Sequence, residues 1–146
     1  WFLEYSNTTA DDFLGDARPN VTYNHSRYTT GFRHHGRTMA SSFEGDAETL
    51  TLGAHQFFDI GNNLSLTLSY AELNADGAMR GARPDPEVRY YIPATNQKTG
   101  IINLGYGTAL LNGRLDLNLR GTEKKIQLAD TELDQWSASA SWRYRF

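Results

Sequence analysis

The final eleven residues, Trp136-Ser-Ala-Ser-Ala-Ser-Trp-Arg-Tyr-Arg-Phe146, decide how the rest of the chain is read. Trp136, Ala138, Ala140, Trp142, Tyr144 and Phe146 share one parity; Ser137, Ser139, Ser141, Arg143 and Arg145 share the other. A period of two is that of an extended strand, whose successive side chains point to opposite sides of a sheet. One face is therefore apolar and aromatic, the other polar and charged. Ten residue steps at ~3.3 Å give ~33 Å, and a tilt of about 40° reduces this to ~25 Å, the height of the apolar band of an outer-membrane barrel. Aromatic residues stand at the ends of this stretch and small ones in its middle, as girdles at the two membrane interfaces require.

The same alternation recurs upstream. Leu115, Leu117 and Leu119 oppose Arg114, Asp116, Asn118 and Arg120. Ile102, Leu104, Tyr106 and Leu110 oppose Ile101, Asn103, Gly105, Gly107 and Ala109. Leu64, Leu66, Leu68 and Tyr70 oppose Ser65, Thr67 and Ser69. Leu50, Leu52, Ala54 and Phe58 oppose Thr49, Thr51, Gly53 and His55, with Gln56 an exception on the apolar side. Trp1, Leu3 and Tyr5 begin a first strand.

Between these strands the connections alternate in length. Asp59–Asn63 and Asn112-Gly113 are tight turns, the latter with residues that suit a type I′ hairpin. The remaining connections, roughly residues 8–46, 74–98 and 122–132, are long. Counting back from a periplasmic Phe146 puts both short turns in the periplasm and all long connections outside the cell. An alternative makes residues 37–43 a further strand, hairpinned through Glu44-Gly45-Asp46, which would change the strand count.

Composition agrees. The 146 residues include 13 Gly, 8 Tyr, 7 Phe and 3 Trp but no Cys, which excludes disulfides and thiolate chemistry. A net charge of −3 is no basis for nucleic-acid binding. Mean hydropathy is −0.57, a value that says little for a barrel, because alternating strands average out. No run of about 18 apolar residues exists to form a membrane helix. The strands expected here, about 9–13 residues, exceed the usual ~5–6 of soluble sheets, which weighs against a β-sandwich. The expected fold is all-β: a transmembrane antiparallel barrel, of which residues 1–146 form a C-terminal portion of about six strands. Six strands cannot close alone, since the smallest barrels use about eight and bare edges in lipid cost several kcal/mol per group. With Trp1-Phe2-Leu3 at the start and no export signal, the chain reads as a fragment of a longer protein.

The long connections carry the recognition chemistry. The first holds Tyr23, His25, Tyr28, Phe32, Arg33, His34, His35 and Arg37; the second holds Arg80, Arg83, Arg89, Tyr90 and Tyr91. Aromatic rings stack on the apolar faces of sugars, and the arginine fork takes a carboxylate at two points, a combination suited to acidic polysaccharide. Tyr23, His25, Tyr28, Arg33, His34, Arg37, Arg89, Tyr90 and Tyr91 are the candidate binding residues. The plainer reading packs them against each other and pairs them with Asp11, Asp12, Asp16, Asp85 and Glu87. His34 and His35 are adjacent on the chain and would point apart if extended, a poor chelating pair, so no metal is expected. Arg114, Asp116, Arg120 and Arg143 face the lumen by parity, as a charge ladder within the wall or as a selectivity element, and His55 lines the same side. No nucleophile elbow, zinc motif or phosphate loop is present, so neither catalysis nor a cofactor is expected.

The stretch EYSNTTADDFLGDARPNVTYNHSRYTTGFRHHGR, Glu4 to Arg37, resembles the capsule-assembly Wzi family of outer-membrane proteins. ASSFEGDAETLTLGAHQFF, Ala40 to Phe58, is similar to that family's next strand, and SWRYRF, Ser141 to Phe146, to an aromatic-ended last strand of the kind barrel-assembly machinery recognises. The resemblance covers essentially the whole chain and corresponds to about the last third of such a protein. It implies a lectin of the bacterial outer membrane that holds capsular or exopolysaccharide at the cell surface, with outer-membrane lipid and the assembly machinery, through Phe146, as further partners. Two other classes stay open: a porin or uptake channel, from the charged inner face, and a rim enzyme, from the His-rich first connection.

Overall fold

A computed structural model describes residues 1–10, 22–23, 43, 45–59, 61–75, 93, 95–128 and 132–144, with the backbone alone at 33–34 and 37–38. The described residues form strands and their connections, without helix. In chain order the strands are β1 (Phe2–Asn7), β2 (Arg33–His34), β3 (Arg37–Thr38), β4 (Glu48–Asp59), β5 (Asn62–Leu73), β6 (Gln97–Leu110), β7 (Gly113–Thr122), β8 (Ile126–Gln127), β9 (Glu132–Leu133) and β10 (Trp136–Tyr144). Six of them make one antiparallel sheet in the order β1-β4-β5-β6-β7-β10, each paired with its neighbour along the chain. β2 pairs with β3 and β8 with β9, each as a separate two-residue ladder. β1 lies directly against β4, so no further strand stands between these two.

The first short turn is tighter than expected, and the second is shifted by one residue. Asp59 already pairs with Asn62, and Gly61 accommodates a φ of 101° that other residues rarely adopt. In the second hairpin Leu110 pairs with Gly113, so the two loop residues are Leu111 and Asn112, with φ of 49° and 57°. This is the two-positive-φ pattern of a type I′ turn, set one residue earlier than the expected Asn112-Gly113. The leucine pays about 1 kcal/mol for its left-handed backbone. Gly113 is used instead for close approach: a side chain there would run into the Trp142 ring, whose indole N–H donates to Leu110 O at 3.1 Å. At the end of β4 the register slips between Phe57 and Asp59, and Phe58 is the extra residue of a bulge.

The two faces of the sheet differ. On the apolar face the large side chains are open, with Leu52 49%, Leu68 44%, Leu104 39%, Leu119 41% and Trp136 62% exposed. Tyr5, Tyr70 and Trp136 stand toward the loop end, Trp142 and Tyr144 toward the turn end, with aliphatic residues and Tyr106 between them. Trp136 lies over Gly121, its direct cross-strand partner, and an added side chain there would collide with the indole. One step beyond Tyr70 the face becomes charged: Glu48 pairs with Glu72 and Glu72 with Lys98, whose ammonium is 2.9 Å from the Glu72 carboxylate. At the other end Thr108 donates to Asn62 Oδ1 at 2.6 Å. Glu72 and Asn62 thus bracket the apolar part of β5, and a strand of that length at a barrel-like tilt of about 40° spans ~25 Å.

The small buried core lies on the polar face, at the loop end. Ala71, Leu73 and Ile101 of the sheet are covered by Ala47 from the first long connection and by Ile126 and Leu128 from the third, with Phe43 and Leu133 partly buried beside them. Hydrogen bonds lace the roots of the connections together. Thr8 N donates to Ala47 O, Asp46 N to Thr8 O, and Ala75 N to Asp46 O, at 2.8, 3.1 and 2.8 Å. Asp46 and Asn74 are both 1% exposed and both take positive φ, a conformation that Asp and Asn tolerate better than most residues. Asn74 Nδ2 donates to Pro93 O, and Pro93 bridges to Leu128, which ties the second connection to the third. Gln97 clasps the backbone of Gln127 from both sides, accepting from its N–H at 3.0 Å and donating to its carbonyl at 2.7 Å.

Candidate functional site

The polar face can be followed row by row, because antiparallel register sets one residue of each strand beside one of the next. Below the covered end runs Glu4, Thr51, Ser69, Ile101 and Thr122. The next row is Phe2, Gly53, Thr67, Asn103, Arg120 and Ser137. Then come His55, Ser65, Gly105, Asn118 and Ser139, followed by Phe57, Asn63, Gly107, Asp116 and Ser141. Arg114 and Arg143, paired with each other, complete the turn end.

Three of the four charges singled out in the sequence form one cluster. Asp116 receives Arg114 Nε at 2.8 Å on one oxygen and Arg143 Nη2 at 2.6 Å on the other. Arg114 also donates to Asn63 Oδ1 at 3.3 Å. Gly107 makes the space, since a side chain there would run into Arg114, Asn63 and Asp116. Ion pairs this open to water hold side chains in place more than they stabilise a fold. His55 stacks on Phe57 with ring centroids 5.4 Å apart, and Gln56 folds its amide back onto the Phe57 carbonyl.

Arg120 differs from its neighbours. No ion pair or hydrogen bond reaches its side chain among the described residues. It lines a polar concavity of about 480 Å³ together with Phe2, Glu4, Tyr23, Phe43, Thr67 and Asn103, and a second hollow of about 200 Å³ with Ser65, Asn118, Ser137 and Ser139. Tyr23, half-buried with a φ of 65°, is thereby brought from the first long connection to the wall of the polar face. Sequence parity supplied the facing of Arg120. Nothing in the sequence pairs it with Tyr23, because the two lie on elements whose relation is set by the fold.

Of the remaining candidate residues, Arg33 faces Thr38 and His34 faces Arg37 in the β2–β3 ladder, as backbone positions. His25, Tyr28, Arg89, Tyr90 and Tyr91 lie outside the described residues, as does Phe146.

A six-stranded meander with an open apolar band on one face and loops folded over the other is a barrel wall in form, and the sequence agrees with this at family level. The pattern of the family described as Capsule assembly protein Wzi matches residues 1–139. The chain belongs to this Wzi family. Membership assigns the Wzi chain a role in capsule assembly, and the all-β architecture is consistent with the outer membrane as the place of that role. No curated protein and no solved structure matches the chain.

Proposed function

We propose that this Wzi-family chain forms part of the wall of an outer-membrane β-barrel and holds capsular polysaccharide at the cell surface through its long connections. The observation that carries the membrane placement is the apolar face. A contiguous row of exposed Leu, Ile, Trp and Tyr, bracketed by charged and polar residues at both ends, is the kind of surface that lipid or a partner covers, and it fits ~25 Å of hydrocarbon. The outer edges of β1 and β10 have no strand partner among the described residues. Bare strand edges are not stable in lipid, which supports a wall completed by further strands of a longer protein. The short turns then face the periplasm and the long connections the exterior.

Polysaccharide holding draws on the family's part in capsule assembly and on the Arg, His and Tyr content of the first two connections. The test is capsule retention by cells carrying the full-length protein with Arg33, Arg89 and Tyr91 changed to Ala. Polymer shed into the medium is the expected result; wild-type retention with normal surface levels of the protein would remove these residues from the function. A channel is less well supported, because Ile126, Leu128 and Ala47 cover the polar face at the loop end.

A further inference from the structure

We propose that the polar basin around Arg120 is a binding subsite for a single acidic sugar residue, on the inside of the wall and separate from the outward connections. The chemistry of the basin carries this. Arg114 and Arg143 share the Asp116 carboxylate, whereas Arg120 has no counter-charge among the described residues. Glu4, the carboxylate in the same concavity, belongs to β1, and β4, β5 and β6 intervene between it and β7. Four strand spacings of ~4.8 Å put the two backbones roughly 19 Å apart along the sheet, too far for a direct pair.

Neutral hydrogen-bonding groups surround the guanidinium. Asn103 and Ser137 are its direct cross-strand partners, and Asn118 and Ser139 lie one row below. No hydrogen bond engages the side chains of these four among the described residues. A guanidinium unpaired among the described residues and ringed by hydroxyls and carboxamides matches a ligand with one anionic group on a hydroxylated body. The aromatic rings of Phe2, Tyr23 and Phe43 line the same larger concavity, where the apolar face of an adjoining sugar ring can stack. A volume of about 480 Å³ is within the ~300–1,000 Å³ usual for small-ligand sites. An acidic residue of the polymer, or of a glycan passing through the envelope, would supply this group; the inference rests on the polysaccharide reading only for that source.

The experiment is calorimetric titration of the full-length protein in detergent with trigalacturonate, galactose 1-phosphate and neutral galactotriose. Binding of either anionic probe, with galactotriose at least about 10-fold weaker, is expected, and the stronger of the two identifies carboxylate or phosphate as the anion. Arg120→Gln should weaken the preferred probe about 10-fold or more, the scale of a lost charged hydrogen bond. Arg120→Lys, which keeps the charge without the fork, should fall between. Lys98→Gln, which removes a cation paired with Glu72 on the opposite face of the sheet, should bind as wild type does. No binding of either anion by wild type, or undiminished binding by Arg120→Gln, overturns the subsite. Affinity lost in Arg33→Ala alone also overturns it and moves the anion to the connections. Failure of capsule retention in the loop variants is a separate readout, so either idea can fail without the other. Retention of heat-modifiable migration by Arg120→Gln shows that the wall is intact; if that variant does not fold, the comparison of Arg120→Lys with wild type decides.

Discussion

At the turn end of the sheet the polar face is tied across strands by Arg114, Asp116 and Arg143, whereas at the loop end it is covered by Ala47, Ile126 and Leu128. The first arrangement leaves the face open to water. The second removes Ala71 and Ile101 from solvent, at 0% and 4% exposure. Between the two lies the row with Arg120, exposed and without an ion pair among the described residues. Ion pairs fix side chains without excluding solvent, while packed hydrocarbon excludes it. The polar face is thus covered at the loop end and open to water from its middle toward the turns.

The largest effect expected is at the cover. Ile126→Asp puts a charge into the apolar cluster at a position 5% exposed, costing about 3–5 kcal/mol in the covered state. Cleavage of the long connections by external protease should rise and bilayer conductance should increase, while the wall stays folded. Unchanged cleavage and conductance would mean that these residues do not close the face. Next comes the apolar band, where both ends should behave alike. Leu104→Arg, in mid-sheet, should destabilise the barrel by about 2–4 kcal/mol in urea unfolding from vesicles; a neutral result would place that face against protein instead of lipid. The smallest effect is at the turn end. Asp116→Asn removes both ion pairs, and a slight loss of thermal stability is expected, present at low salt and screened away at high salt. A large loss insensitive to salt would show that the cluster supports the wall as packing does.

Much of the wall was legible in the sequence. Trp136 to Tyr144, Leu115 to Leu119 and Leu64 to Tyr70 show their two faces without any knowledge of neighbours, and the asymmetry of short and long connections follows from where the alternation stops. The bulge at Phe58 and the Leu111-Asn112 turn were not legible. Moving that hairpin by one turn position keeps every side chain on its own face, so parity cannot detect the shift. The covering residues were hidden for another reason. Ile126 and Leu128 sit in a connection too short to show a period, and they matter only because Ala71 and Ile101 lie beneath them. Among the candidate site residues, the face of Arg120 was readable, and its lack of a partner among the described residues was not.

The sequence by itself determined which residues can face hydrocarbon and which water, because the pleat of an extended chain sends alternate side chains to opposite sides whatever the strand pairs with. Only the tertiary structure decided the register of those strands, the cover over one end of the polar face, and the placing of Tyr23 and Arg120 on one concavity. Each of these depends on contacts between segments far apart along the chain, where no local periodicity reaches.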